Sequence, residues 1–353
     1  MLISFPFLSL ANEISYIRPA GLRGVNMFET FRDEGPAFGG LKVKLGGNFT
    51  QQLQALSHEN SANPNVFDGT DLNELYPLGT GFNLATANLN IDVQLDDGIR
   101  MALESYMSSR HHPEFWVKGG YIQMDKLPFL GSPDWFDRHM SLRIGHTMFN
   151  YGDQHFRRSD NGQTVYNPFA GNLIMDAFTT EIGGELYLFP TAGNYFVMLG
   201  MTGGLISGDV REYDHTDKNP SLLAKIGYDD QVSDDLRMRL SASMYSNPGT
   251  TRNTLYAGDR AGSRYYMAME PEYYRNFRAG GAITASDQAN RFTSGRFSPD
   301  FTHSLTSIMI NPFLKYRGLE FFGTYEYSSG THNADVDNRS ATQLAGELVY
   351  RFL

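Results

Sequence analysis

Residues 85–95 read ATANLNIDVQL and alternate without exception between apolar and polar side chains. The odd-numbered positions carry Ala, Leu, Ile and Val, while the even-numbered positions carry Thr, Asn, Asp and Gln. Because neighbouring side chains of a β-strand point to opposite faces, this stretch predicts a strand with one apolar and one polar face. Such a strand suits an antiparallel sheet that has water on one side.

The same alternation recurs along the chain. Residues 236–245 read LRMRLSASMY, with two arginines on the polar face, and noisier versions cover residues 42–55, 99–107 and 319–328. Weaker strand-like segments lie near residues 115–124, 140–149, 175–188, 195–206, 221–228, 305–316 and 342–352. Together these segments predict twelve strands, and the stretch 247–303 has room for another hairpin near residues 263–269 and 277–284.

The links between these segments differ systematically in length. Short links at 96–98, 189–194, 229–235 and 317–318 alternate with long ones at 57–82, 150–174, 208–220, 247–303 and 330–340, with exceptions at 109–113 and 125–138. This asymmetry is typical of outer-membrane barrels. The chain is therefore predicted to be all-β: a closed antiparallel up-and-down transmembrane β-barrel of 12 to 14 strands, with 16 as an upper alternative, short periplasmic turns and long extracellular loops.

The amino-acid composition excludes or disfavours several classes of protein. The 353 residues include no cysteine, which excludes disulfides and thiol chemistry, and a net charge of −10 disfavours a nucleic-acid partner. No run of 18 apolar residues occurs, and the mean hydropathy is −0.37. The strands of a membrane barrel alternate between apolar and polar residues. A barrel protein can therefore have a low mean hydropathy.

A soluble sandwich is the alternative fold, because two sheets with their apolar faces packed together would show the same alternation. Aromatic residues near strand ends favour the membrane barrel, where they would form girdles at the bilayer interfaces. The expected girdle residues are Phe115 and Trp116, Tyr187 and Phe189, and Tyr325 and Tyr327.

The two ends of the chain resemble export and insertion signals. Residues 1–11, MLISFPFLSLA, resemble the apolar region of a signal peptide and are interpreted as its remnant, although no positive charge precedes it. Residues 12–40 are then expected to form an N-terminal periplasmic or lumen segment, and residues 41–353 the barrel. The last strand, ATQLAGELVYRFL, is amphipathic and aromatic near its end, like the terminal strand of bacterial outer-membrane proteins, although Leu353 follows Phe352.

The stretches WVKGGYIQMDKLPF, NYGDQHFRRSDNG and NPF followed by EFFGTYEY resemble porin-like outer-membrane barrels of Bacteroidota-type Gram-negative bacteria. The resemblance extends from about residue 17 to the end. It implies the barrel fold and an outer-membrane location reached through the periplasm, and it carries no information on a particular solute.

Residues 150–169 form the most densely charged stretch. Asp153, Arg157, Arg158 and Asp160 lie within eight residues of one another, close to several aromatic residues. Folded into the lumen, these opposite charges would form a pore constriction and orient polar solutes. A solvated outer loop is the alternative, although its aromatic residues would then be exposed.

Two further sets of residues are candidates. The strand charges whose parity predicts a lumen-facing position are Asp92, Arg100, Glu104, Arg237, Arg239, Glu320 and Glu326. They would either line a hydrated lumen or pair with one another inside a plugged barrel. In the stretch 247–303, Arg260, Arg264, Tyr265 and Tyr266 are candidates for a loop cap or a partner surface.

These features favour an outer-membrane porin through which small hydrophilic solutes diffuse passively. We expect membrane lipid, solutes and other copies or outer-membrane proteins as partners, with no nucleic acid, cofactor, metal or enzymatic activity. The sequence lacks G-x-G-x-x-G, a P-loop, H-E-x-x-H and G-x-S-x-G. The main alternative is a closed barrel that serves as a structural or assembly subunit of a larger outer-membrane complex. A barrel enzyme with a lipid-facing Ser–His pair is a third.

Overall fold

A computed structural model gives the three-dimensional structure of the chain. It describes residues 14, 18, 24–29, 38–108, 115–157, 166, 175–190, 194–205, 210, 219–256, 269, 297–333, 335 and 337–352. The hairpin expected near residues 263–284 lies outside the described residues, apart from residue 269.

Strands dominate the described part of the chain. In chain order they are β1 (Lys42–Gln54), β2 (Val66–Phe67), β3 (Thr70–Asp71), β4 (Gly81–Asp96), β5 (Ile99–Ser108), β6 (Phe115–Met124), β7 (Met140–Met148), β8 (Thr180–Leu188), β9 (Tyr195–Thr202), β10 (Ser221–Gln231), β11 (Leu236–Asn247), β12 (Leu305–Tyr316), β13 (Leu319–Gly330) and β14 (Arg339–Tyr350). Two short α-helices, α1 (Asp134–His139) and α2 (Gln154–Arg157), and one 3-10 turn, Pro128–Leu130, accompany them. No helix in the described ranges is long and apolar enough to cross a bilayer.

Twelve of the strands form one antiparallel sheet in the order β1-β4-β5-β6-β7-β8-β9-β10-β11-β12-β13-β14. Apart from the small hairpin β2–β3 between β1 and β4, each strand pairs with its neighbour in sequence. The prediction of an all-β chain with an antiparallel up-and-down sheet is therefore confirmed, and over the described residues this sheet has twelve of the 12 to 14 predicted strands. Within this hydrogen-bonded order, β1 and β14 are the two end strands.

Because successive strands are antiparallel, the links alternate between two ends of the sheet. The links at one end, the short-link end, are residues 97–98, 125–139, 189–194, 232–235 and 317–318. Gly98, with φ of 72°, closes the tight turn between β4 and β5, where a Cβ would lie 2.6 Å from Lys126 Cβ. The opposite, long-link end carries residues 55–80, 149–179 and 248–304 among its connections.

The two faces of the sheet are chemically opposite. On the outer face, every strand of the sheet exposes large apolar side chains; Leu45 is 68% exposed, Leu240 53% and Leu344 83%. The inner face buries polar and charged side chains, including Arg239, Ser241 and Asn311. The sandwich alternative is therefore wrong, because the strands form one sheet and its apolar face is exposed rather than packed against a second sheet.

The expected aromatic girdle residues divide between the two faces. Phe115, Tyr325 and Tyr327 are exposed on the outer face. The Trp116 side chain lies outside the part of the chain that the structure describes. Tyr187 and Phe189 are buried and stack with ring centroids 6.3 Å apart, so their assignment to a girdle was wrong. Both rings pack into an aromatic core on the inner side of β8. Burial of their apolar surface there is more favourable than exposure to solvent.

Candidate functional site

The inner face is crossed by residues 150–157, which we call the inner segment. It leaves the end of β7 and reaches strands β10 to β14 through side-chain and backbone contacts. Gly152 has φ of 67°, and a Cβ on it would lie 2.2 Å from Met309 Sδ. Any other residue would be strained at this φ and would displace the buried Met309 side chain, so glycine suits this close crossing. The backbone N–H of Asp153 then donates to Asn311 Oδ1 at 2.8 Å.

Asp153 is the main contact between the inner segment and the sheet. Lys225 Nζ on β10 lies 2.7 Å from its Oδ1, and Arg239 on β11 donates from Nε to Oδ2 and from Nη2 to Oδ1, both at 2.8 Å. The Ser241 hydroxyl donates to Oδ2 at 2.8 Å. The Asp153, Lys225 and Arg239 side chains are fully buried. A buried charge needs such partners because it has lost water.

A second carboxylate, from the N-terminal residues 24–29, completes this cluster. Glu29 Oε1 lies 2.7 Å from Lys225 Nζ, and Glu29 Oε2 accepts from Arg239 Nη2 at 2.6 Å. Asn150 Nδ2 also donates to Glu29 Oε1 at 2.8 Å. Arg239 also lies 3.3 Å from Asp229, which pairs with Arg237. Three carboxylates thus face three cations, which leaves the cluster with no net charge.

The cations of the cluster control the protonation of both carboxyl groups. Burial alone would raise the pKa of Asp153, but Arg239 and Lys225 outweigh it and hold the pKa below its usual range. The same two cations lower the pKa of Glu29 against the effect of burial. For His155, burial and then the nearby Lys225 lower the pKa well below its ordinary value, so the ring stays neutral. In the docked state, the carboxylates of Asp153 and Glu29 are therefore ionised and the imidazole of His155 is neutral.

Arg157 joins the other end of the inner segment to β13 and β14. Its guanidinium donates to Asn26 Oδ1 at 2.6 Å and lies 3.8 Å from Glu320 and 3.5 Å from Glu347. The guanidinium also lies over the Phe313 and Phe322 rings, 5.5 and 5.0 Å from their centroids. Burial lowers the pKa of Arg157, against the opposing effect of the two carboxylates.

Two tyrosines from the long-link end share one carboxylate of β13. Glu326 Oε1 accepts from Tyr151 at 2.9 Å and from Tyr256 at 2.6 Å. The Ser307 hydroxyl bonds both phenols, at 2.6 and 2.5 Å. Residues from two different links are thus held against the same strand pair. Among the described residues, the links thus contact the inner face of β8 and of β10–β14.

The strand charges predicted for the interior are placed as follows. Arg239 and Glu326 belong to the clusters above, and Glu320 contacts Arg157 and accepts from Arg351 Nε at 2.8 Å. Arg237 pairs with Asp229 through two bonds of 2.7 Å. Arg100 is buried and pairs with Asp125.

A cavity of about 190 Å³ separates the inner segment from β4–β7. Asp92 and Glu104 line it from β4 and β5, and Lys118, 3.2 Å from Glu104, lines it from β6. Arg143 of β7 lies over the rings of Tyr121 and Tyr187, 4.4 and 5.4 Å from their centroids. The cavity wall therefore presents both signs of charge together with aromatic faces.

Sequence reasoning found part of this site. It identified Asp153, Arg157 and Arg239, which the fold brings together around the inner segment. It missed Lys225, whose parity within the weak strand 221–228 was the available signal, and Glu29, for which the sequence contains no local signal. Of the predicted site residues, Arg158, Asp160, Arg260, Arg264, Tyr265 and Tyr266 lie outside the described residues.

Within the described ranges, no group of three or more His, Asp or Glu side chains is arranged to hold a metal ion. Comparison with protein-family models gives no match, and comparison with curated proteins gives none either.

Proposed function

We propose that the protein is an outer-membrane β-barrel that lets small hydrophilic solutes diffuse through a narrowed lumen. One observation carries the membrane part of this proposal: all strands of the twelve-stranded sheet expose apolar side chains outward while charged groups are buried inward. A continuous apolar surface of this extent is unfavourable in water. In lipid the same surface is satisfied, and the resemblance to porin-like barrels of Bacteroidota-type bacteria supports the same location.

Membrane insertion requires the sheet to close, with β1 beside β14. An open edge within the hydrocarbon would leave unpaired N–H and C=O groups, each costing several kcal/mol. Because the chain has no cysteine, cysteine pairs scanned along β1 and β14 provide a clean test. Disulfides form only where Cα atoms approach within about 7 Å. Cross-linking along a single register would support closure, and its absence along the whole strand would oppose it.

The inner segment would restrict the pore rather than close it. It contacts β8 and β10–β14 and thereby occupies part of the lumen, and the cavity beside β4–β7 is the proposed route for solutes. Asp92, Glu104, Lys118 and Arg143 present both signs of charge along this route. A wall of mixed charge binds hydration water and polar solutes without a strong preference for one sign of ion. The expected channel is narrow and weakly selective.

Planar-bilayer recording and liposome swelling test the channel. We expect purified protein to give small, resolved conductance steps and to admit small sugars while excluding oligosaccharides. Insertion verified by protease protection, combined with conductance no higher than in protein-free bilayers, would oppose an open channel.

The occupied interior favours a second candidate function, a closed barrel that acts as a structural subunit of a larger outer-membrane complex. The Asp153 cluster and the Glu326 cluster hold the filling segments by buried hydrogen bonds, as a permanent plug would require. Affinity purification from detergent extracts separates the two functions. A stoichiometric partner together with absent conductance would favour the structural subunit.

A further inference from the structure

The link between β6 and β7 carries an exposed apolar cluster at the otherwise compact short-link end. Phe129 is 66% exposed, Leu130 64% and Trp135 61%. The first two belong to a 3-10 turn, Pro128–Leu130, and the third to helix α1. Three large apolar side chains close in sequence and exposed to solvent need an explanation.

The fold holds this cluster in its exposed position. Leu127 and Phe136 are buried and anchor the link on either side of the exposed residues, and the Ser132 N–H donates to Leu127 O at 2.9 Å. Lys126 pairs with Asp97 of the neighbouring turn at 2.8 Å. Helix α1 runs directly into β7 at Met140. The exposed side chains therefore belong to an ordered surface.

The same end of the sheet carries a series of exposed aromatic residues on the outer face. Tyr195 begins β9, Tyr316 ends β12 and Tyr350 ends β14, and all three are about half exposed. Phe352 lies beside Tyr350, with ring centroids 5.1 Å apart. Aromatic residues at one level on the apolar face are typical of a membrane–water interface. The link between β6 and β7 leaves the same end of the sheet.

We propose that residues 128–135 of this link are an interfacial anchor, with Phe129, Leu130 and Trp135 inserted at the headgroup level of the bilayer leaflet on the short-link side. This inference rests on the proposed membrane location. The charged side chains of α1 would stay in water; Asp134 and Arg138 pair at 3.0 Å and are 84% and 70% exposed, so nothing in the described fold covers them. Three side chains are too few for a stable protein interface, which typically buries about 800 Å² on each partner. They suffice to anchor a short segment in lipid.

Tryptophan fluorescence tests this anchor directly, because the chain has only Trp116 and Trp135. The Trp116→Phe variant leaves Trp135 as the single emitter. In phosphatidylcholine vesicles, we expect a spin label near the headgroup to quench its emission about twofold more than a label at the acyl-chain end, since indole favours the headgroup level. Aqueous iodide should quench weakly. Strong quenching by iodide without quenching by lipid labels would overturn the anchor.

A matched variant separates failure of the anchor from failure of the membrane proposal. The variant Trp116→Phe/Trp135→Phe/Leu240→Trp places the single emitter in the middle of β11 on the outer face; Leu199→Trp on β9 replaces Leu240→Trp if that variant does not fold. Quenching of this emitter by the deep label, with Trp135 quenched by neither lipid label, would reject the anchor alone. An outer-face emitter that no lipid label quenches would reject the membrane location, and the anchor with it.

Discussion

Replacing Asp153 should release the inner segment and widen the proposed pore. In the Asp153→Ala variant, Lys225 and Arg239 lose a carboxylate that accepts three of their hydrogen bonds, at 2.7 to 2.8 Å. Lys225 would then face Glu29 alone, and Arg239 would keep only Glu29 and the more distant Asp229, 3.3 Å from its Nη1. Removing one partner of a buried ion pair costs about 3–5 kcal/mol. At about 1.4 kcal/mol for each tenfold change, the ratio of docked to undocked segment should fall by about two to four orders of magnitude.

Single-channel recording measures this release as larger or longer conductance steps than those of the unsubstituted protein. Asp235→Ala is the matched control, because Asp235 pairs with Arg317 at 3.0 Å while both side chains are about half exposed. A surface pair of this kind contributes little. Adding Lys225→Met to Asp153→Ala removes one uncompensated cation and should partly restore the small conductance. Folded Asp153→Ala protein whose conductance matches the control would refute the proposed role of this cluster.

Three further outcomes are expected. Burial and then Lys225 lower the pKa of His155 in the docked segment. Docking should therefore weaken as the pH falls below about 6.5, where the ring of the undocked segment takes up a proton. Conductance should rise with acidification, and the His155→Gln variant should not show this rise. Gly152→Ala should destabilise the docked segment by about 1–3 kcal/mol through overpacking and backbone strain, measured as faster proteolysis within residues 150–157. Leu240→Arg should lower the free energy of unfolding in lipid by about 2–4 kcal/mol in urea titrations, whereas Ser246→Arg, nearer the end of β11, should cost less.

The sequence was most informative where a local pattern determines the outcome. The alternation at residues 85–95 and 236–245 predicted the strands and the face on which each side chain lies, because strand geometry depends on adjacent residues alone. The alternating link lengths predicted the up-and-down order. Together, strand alternation and link length allow few other strand orders for a sheet of twelve strands.

Contacts between distant residues could not be predicted in the same way. Glu29 and Arg239 are 210 positions apart, and no local pattern relates them. Tyr187 and Phe189 were assigned to a girdle from their position near a strand end, yet they pack inward against the aromatic core. Whether an aromatic residue near a strand end lies on the inner or the outer face depends on which link residues pack against the inner face. The inner segment supplies that environment.

The central claim, that the outer face contacts lipid, is tested most directly by spin labels on adjacent residues of one strand. Single cysteines at Leu45 and Lys44 can be labelled cleanly because the chain has no other cysteine. Leu45 is 68% exposed on the outer face, and Lys44 lies on the inner face. In vesicles, we expect the label at Leu45 to collide with lipid-soluble oxygen and the label at Lys44 with a water-soluble nickel complex. Equal access of the nickel complex to both positions would contradict the membrane location.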